Sequence, residues 1–125
     1  MKNIVLIISL SAFSLAGLAQ SGNSLIREGN KKYEEGKFQD AEVDYRKALE
    51  KEAHSLKGTF NLGDAIYQQE NFTESAKVFS EITEKYADEQ VRAEAFHNLG
   101  NSLLKEKEIP GKHRSIQKCP PPQSG

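Results

Sequence analysis

Displacing the chain against itself by 34 residues lays Gly29 on Gly63, Tyr33 on Tyr67, Phe38 on Phe72, Ala41 on Ser75, Tyr45 on Phe79 and Ala48 on Ile82. A fixed period of this length marks a repeat architecture, in which no unit buries its own apolar face and each must stack on a neighbour. A third copy opens at Asn98-Leu99-Gly100, which echoes Asn61-Leu62-Gly63 from 37 residues earlier. Three extra residues therefore precede it, and the spacing places them within residues 86–90.

The local pattern predicts two helices per repeat. Ser55 is positioned to cap a helix over residues 56 to about 69, and Asn71 with Glu74 three residues on forms a capping pair for a second over 72 to about 85. Asn71-Phe72-Thr73 also has the form of a glycosylation acceptor, but the capping role needs no modification. In the first copy Gly36 falls at the turn, where a residue able to adopt positive φ ends a helix that begins near Ser24. Gly29 with Ala41, and Gly63 with Ser75, are small enough to let paired backbones approach, while Tyr45, Phe79, Ala48 and Ile82 fill the space beside them.

These residues resemble tetratricopeptide repeats: the period, the run N-L-G followed by an aromatic, and F-x-x-[AS]-x-x-x-[YF]-x-x-[AI] over residues 22–108. Leu25 and Thr59 stand at the family's Trp-type position, and Ala53 and Ala87 replace its closing Pro. The resemblance implies an all-α fold, with helix-turn-helix repeats stacked as a short right-handed solenoid. The first repeat covers residues 22–54, the second 55–88, and 89–108 supply the first helix of a truncated third. In combination with an N-terminal signal peptide, the segment from Arg27 to Phe38 and the run from Ala95 to Asn101 are similar to the exported repeat proteins of bacterial aerotolerance (Bat-type) operons. That similarity implies a periplasmic adaptor working with membrane-anchored partners that carry von Willebrand A-type domains.

Residues 1–19 read as a signal peptide: Lys2, an apolar run from Ile4 to Leu18, and the small-residue ending Gly17-Leu18-Ala19. Cleavage after Ala19 leaves Gln20 first and an exported product, periplasmic or secreted in a bacterium. The run is interrupted by Ser9, Ser11 and Ser14, short of the roughly 20 apolar residues a retained span needs. Cys119 is the single cysteine, so no disulfide forms within the chain. Residues 20–108 carry 13 Lys or Arg against 18 Asp or Glu, a net −5 that argues against nucleic acid and against direct binding to an anionic membrane.

After Glu108 the composition changes: Pro110-Gly111 breaks the helix and Pro120-Pro121-Pro122 excludes another, so residues 109–125 are expected to be a disordered basic tail. A one-base shift in synonymous codons can restore an aromatic at Ile109, a small residue at Lys112, Phe at Ile116, Ala at Cys119 and Pro at Ser124. A frameshift and a natural divergent tail both remain open at this point, and the first would make the product an inactive fragment. Without a mate for the third-repeat helix, Leu99, Leu103 and Leu104 cannot all be covered, which predicts marginal stability and self-association through that helix.

Function is expected on the first helix of each repeat, where residues spaced i, i+4 and i+7 share a face. Ile26, Asn30 and Tyr33, then Phe60, Asp64 and Tyr67, then His97, Asn101 and Leu104, form a strip. By the resemblance it lines a concave groove that receives a protein or peptide segment. Aromatic area and amide hydrogen bonding suit that task. Asn30 and Asn61 match a family subset that grips a terminal carboxylate, but Ile26, Glu94 and Asn98 replace its remaining three residues, so carboxylate capture is not expected. No phosphate loop, metal-ligand spacing or nucleophile beside a base appears, and no cofactor is implied. His113 and Cys119 lack the further ligands a metal needs, and a periplasmic hydrolase built on His97 and Asp64 is the weaker alternative to a non-enzymatic scaffold.

Overall fold

A computed structural model describes residues 20–109; residues 1–19, where a signal peptide is expected, and residues 110–125 lie outside the described residues. Five helices are present among them: α1 (Gly22–Glu34), α2 (Phe38–Lys51), α3 (Leu56–Gln68), α4 (Phe72–Lys85) and α5 (Glu89–Glu108). Each packs against the next, and α1 also touches α3. The architecture is the all-α stack of helix hairpins expected from the repeat.

Three helices start on side-chain caps. Ser21 accepts from the Ser24 amide at 3.2 Å, Ser55 from the Gly58 amide at 3.2 Å, and Asp88 from the Val91 amide at 2.9 Å. α1 thus begins two residues before the expected start near Ser24. The capping pair expected at Asn71 and Glu74 does not form. Asn71 has ψ 64°, away from the extended conformation that aims a cap inward, and its side chain makes no cap hydrogen bond. Glu74 instead pairs with Lys77 at 3.2 Å.

The turn explains that backbone. The Lys37 amide donates to the Lys32 carbonyl at 2.9 Å and the Asn71 amide to the Ile66 carbonyl at 3.3 Å, closing α1 and α3 through a residue in the left-handed region. Gly36 supplies it in the first repeat at φ 75°, and Glu70 occupies the same place in the second at φ 60°. A glutamate there bears the Cβ penalty that glycine avoids.

Close approach within each hairpin is built on a second pair of glycines. A Cβ on Gly29 would lie 2.6 Å from the Tyr45 ring, and one on Gly63 would lie 2.7 Å from the Phe79 ring. Both rings are buried at 2% and 1% exposure, with Ala41, Ala48 and Ile82 fully enclosed around them. Ser75 donates to the Gly63 carbonyl at 3.0 Å and meets the Ser102 hydroxyl at 3.1 Å, joining α3, α4 and α5.

The three extra residues expected within 86–90 do not lengthen the connection. α5 begins nine residues before Asn98, whereas α3 begins five before Asn61, so the insertion is absorbed as an added turn of helix. Among the described residues no helix packs on the far side of α5. Phe96, Leu103 and Leu104 are 52%, 43% and 61% exposed, while Leu99 packs against the core.

Glycine substitutions should separate these roles in denaturant unfolding of dilute protein. Gly63→Ala is expected to destabilise the fold by roughly 1–3 kcal/mol through overpacking against Phe79. Gly100→Ala, whose Cβ would meet nothing within 4 Å, should stabilise by up to about 1 kcal/mol. Glu70→Gly should likewise gain about 1 kcal/mol by relieving the left-handed conformation.

Candidate functional site

The inner faces of α1, α3 and α5 form two adjoining concavities. The first, about 220 Å³, lies among Asn30, Tyr33, Glu34, Lys57, Asn61 and Asp64, with Tyr45 at its base. The second, about 180 Å³, lies among Asp64, Tyr67, Gln68, Asn98 and Asn101, with Phe79 at its base. Asp64 is the shared wall. Each volume falls below the roughly 300 Å³ at which small-molecule sites begin, and suits one side chain of a longer ligand.

Packing fixes the tyrosines. The Tyr33 ring meets Phe38 edge-on at 5.1 Å and Tyr67 meets Phe72 edge-on at 5.0 Å, the same contact one repeat apart. At the floor of the first concavity, Asn30 Oδ1 accepts from the Tyr45 hydroxyl and from Asn61 Nδ2, both at 2.8 Å. Burial pushes the Tyr45 phenol up to about 12, so it stays a donor. Both bonds use the oxygen of Asn30, which leaves its amide nitrogen, and the oxygen of Asn61, without a partner among the described residues. The side chains of Asn98 and Asn101 likewise make no hydrogen bond among the described residues.

Asp64 is held in an unfavourable state. Desolvation, and then repulsion from Glu94 on α5, raise its carboxyl from an ordinary 3.8 to about 6. No lysine or arginine pairs with it among the described residues, in contrast to Asp44, which receives Lys32 at 2.6 Å. The fold therefore carries a partly desolvated carboxylate beside a second one, facing open concave surface.

Five of the nine residues expected in the strip line these concavities: Asn30, Tyr33, Asp64, Tyr67 and Asn101. Four do not. Ile26 is 2% exposed and belongs to the core cluster with Leu25, Ala48 and Leu62. Phe60 packs on Phe79 at 6.1 Å and serves the core. His97 and Leu104 are exposed on the outer shoulder of α5 and line neither concavity, and no hydrogen bond joins His97 to Asp64. Asn61 and Asn98, which the i, i+4, i+7 strip does not include, also line the concavities. They stand three residues ahead of Asp64 and Asn101, and the i, i+3 relation on one helix face was the signal for them.

No group of three or more His, Cys, Asp or Glu positioned to hold a metal occurs among the described residues, and no helix there is long and apolar enough to cross a membrane. Stacked hairpins with a polar inner face define a helical-repeat interaction module. The tetratricopeptide repeat family profile matches residues 32–97, more than half of the chain, and the chain belongs to that family. Repeats of this family mediate protein–protein interaction and are typically non-enzymatic. A search of curated proteins finds no match.

Asp64 provides a pH signature. Its native pKa lies above its unfolded value, so the native state holds an extra proton between the two, and the contribution of Asp64 to stability is greatest below 3.8 and is lost as pH rises through about 6. Asp64→Asn should therefore stabilise the protein at pH 7.5, on the order of 1 kcal/mol after allowing for solvent screening, and should have little effect at pH 3.5. Urea unfolding at the two pH values checks this.

Proposed function

We propose that this protein is a non-enzymatic adaptor that holds an extended segment of another polypeptide in the groove formed by α1, α3 and α5. The observation that carries this is Asp64, a carboxylate that costs the fold stability yet faces the one stretch of surface lined by the amides of Asn30, Asn61, Asn98 and Asn101. The amides match the alternating donors and acceptors of a peptide backbone, and Tyr33 and Tyr67 offer flat contact area on pre-fixed rings. Asp64 and Glu94 favour a ligand bearing N–H donors or positive charge beside them.

The adaptor acts in the bacterial cell envelope, after export directed by residues 1–19. Similarity to the Bat-type proteins supports membrane-anchored partners with von Willebrand A-type domains as its clients. Mass spectrometry of the protein from fractionated cells should find it in the periplasmic fraction with Gln20 as the first residue; recovery from the cytosolic fraction with Met1 intact would remove the envelope assignment.

A peptide array of overlapping ten-residue segments tests the groove. Segments that bind should lose about tenfold in affinity on Asn101→Ala and on Asp64→Asn, one hydrogen-bonding contact each. Since Asp64→Asn is expected to stabilise the fold, weakened binding cannot be ascribed to unfolding. Binding indifferent to both substitutions would place the partner elsewhere.

A further inference from the structure

The outer face of α5 carries a pattern that the groove does not use. Glu89, Ala93, Phe96, Gly100, Leu103 and Lys107 follow one another at alternating steps of four and three residues, the spacing of a coiled-coil seam. None of them lines either concavity. Phe96 and Leu103 are the exposed apolar residues of the seam, and Leu104 extends it on one side.

Gly100 shows what the face can receive. Its counterparts Gly29 and Gly63 each lie under an aromatic ring from the next helix, whereas a Cβ on Gly100 would meet nothing within 4 Å among the described residues. The recess is the third of a series in which the first two hold Tyr45 and Phe79.

We infer that α5 pairs antiparallel with α5 of a second copy of this chain, each Phe96 entering the Gly100 recess of the other. The seam is complementary to its own reverse. Centred on Asn98, an antiparallel pairing sets Phe96 against Gly100, Ala93 against Leu103 and Glu89 against Lys107. Every contact is then large with small or acid with base, and the two-fold generates each one twice. A parallel pairing lacks this property, because it brings Phe96 onto Phe96 and Glu89 onto Glu89. The glycine at the crossing lets the backbones approach as closely as they do within the hairpins. The interface is separate from the groove, so its failure leaves the peptide-binding reading standing.

Sedimentation equilibrium of the purified chain, over roughly three decades of concentration up to about 100 μM, tests the pairing. The protein should show a reversible monomer–dimer equilibrium. Gly100→Leu, which fills the recess without touching the monomer's packing, and Phe96→Ala should each weaken dimerisation about tenfold or more. Glu89→Lys should weaken it also, and Glu89→Lys combined with Lys107→Glu should restore it. Circular dichroism of each variant confirms that the helices are retained. A chain that stays monomeric throughout, a dimer indifferent to Gly100→Leu, a double exchange that fails to restore association, or open-ended oligomers would each overturn the inference.

Discussion

An aromatic ring seated on a glycine holds each hairpin together. Tyr45 covers Gly29 and Phe79 covers Gly63 so closely that neither glycine has room for a methyl group. That contact fixes the separation and rotation of α1 against α2 and of α3 against α4. Stacking of α2 on α3 and of α4 on α5 then follows from the faces left over. Because the rings seat on one flank of α1 and α3, the adjoining inner flank that carries Asn30, Asn61 and Asp64 is left free to be polar. Tyr45 serves both sides: its ring packs on Gly29 and its hydroxyl sets the orientation of Asn30 in the groove.

Energetically the two faces differ. The packed side contains small apolar residues and enclosed rings, and its buried hydroxyls of Ser75 and Ser102 are satisfied. Along the inner side, polar groups remain uncommitted and one carboxylate is partly desolvated beside another. A fold selected for stability alone would neutralise Asp64, as it does Asp44 with Lys32. Retaining a charge at such a cost is typical of surfaces whose partner completes them.

Much of this was legible in the sequence, because the repeat ties distant positions together. The offset of 34 residues that pairs Gly29 with Gly63 also pairs Tyr33 with Tyr67, and the structure gives both pairs the same contacts. The all-α class and the stacked hairpins follow from that. What could not be read directly was side-chain direction within a helix turn. Ile26 and Asn30 share a spacing that suits a groove, yet Ile26 is buried in the core cluster. Asn61 and Asn98 were visible as part of N-L-G, but their place in the groove depends on how far α3 and α5 rotate on their mates. Asn71 misled for a local reason: the left-handed residue before it bends the backbone away from a capping geometry, and sequence shows a left-handed residue clearly when it is Gly36 but not when it is Glu70.

Ring-current shifts test the central contact most directly. In a proton NMR spectrum of dilute protein, the Hα resonances of Gly29 and Gly63 should move strongly upfield under the faces of Tyr45 and Phe79, while those of Gly100 stay at ordinary helical positions. Ordinary shifts at Gly29 and Gly63 would contradict the account, since the hairpins would then be held by something other than these rings and the groove would lose its support.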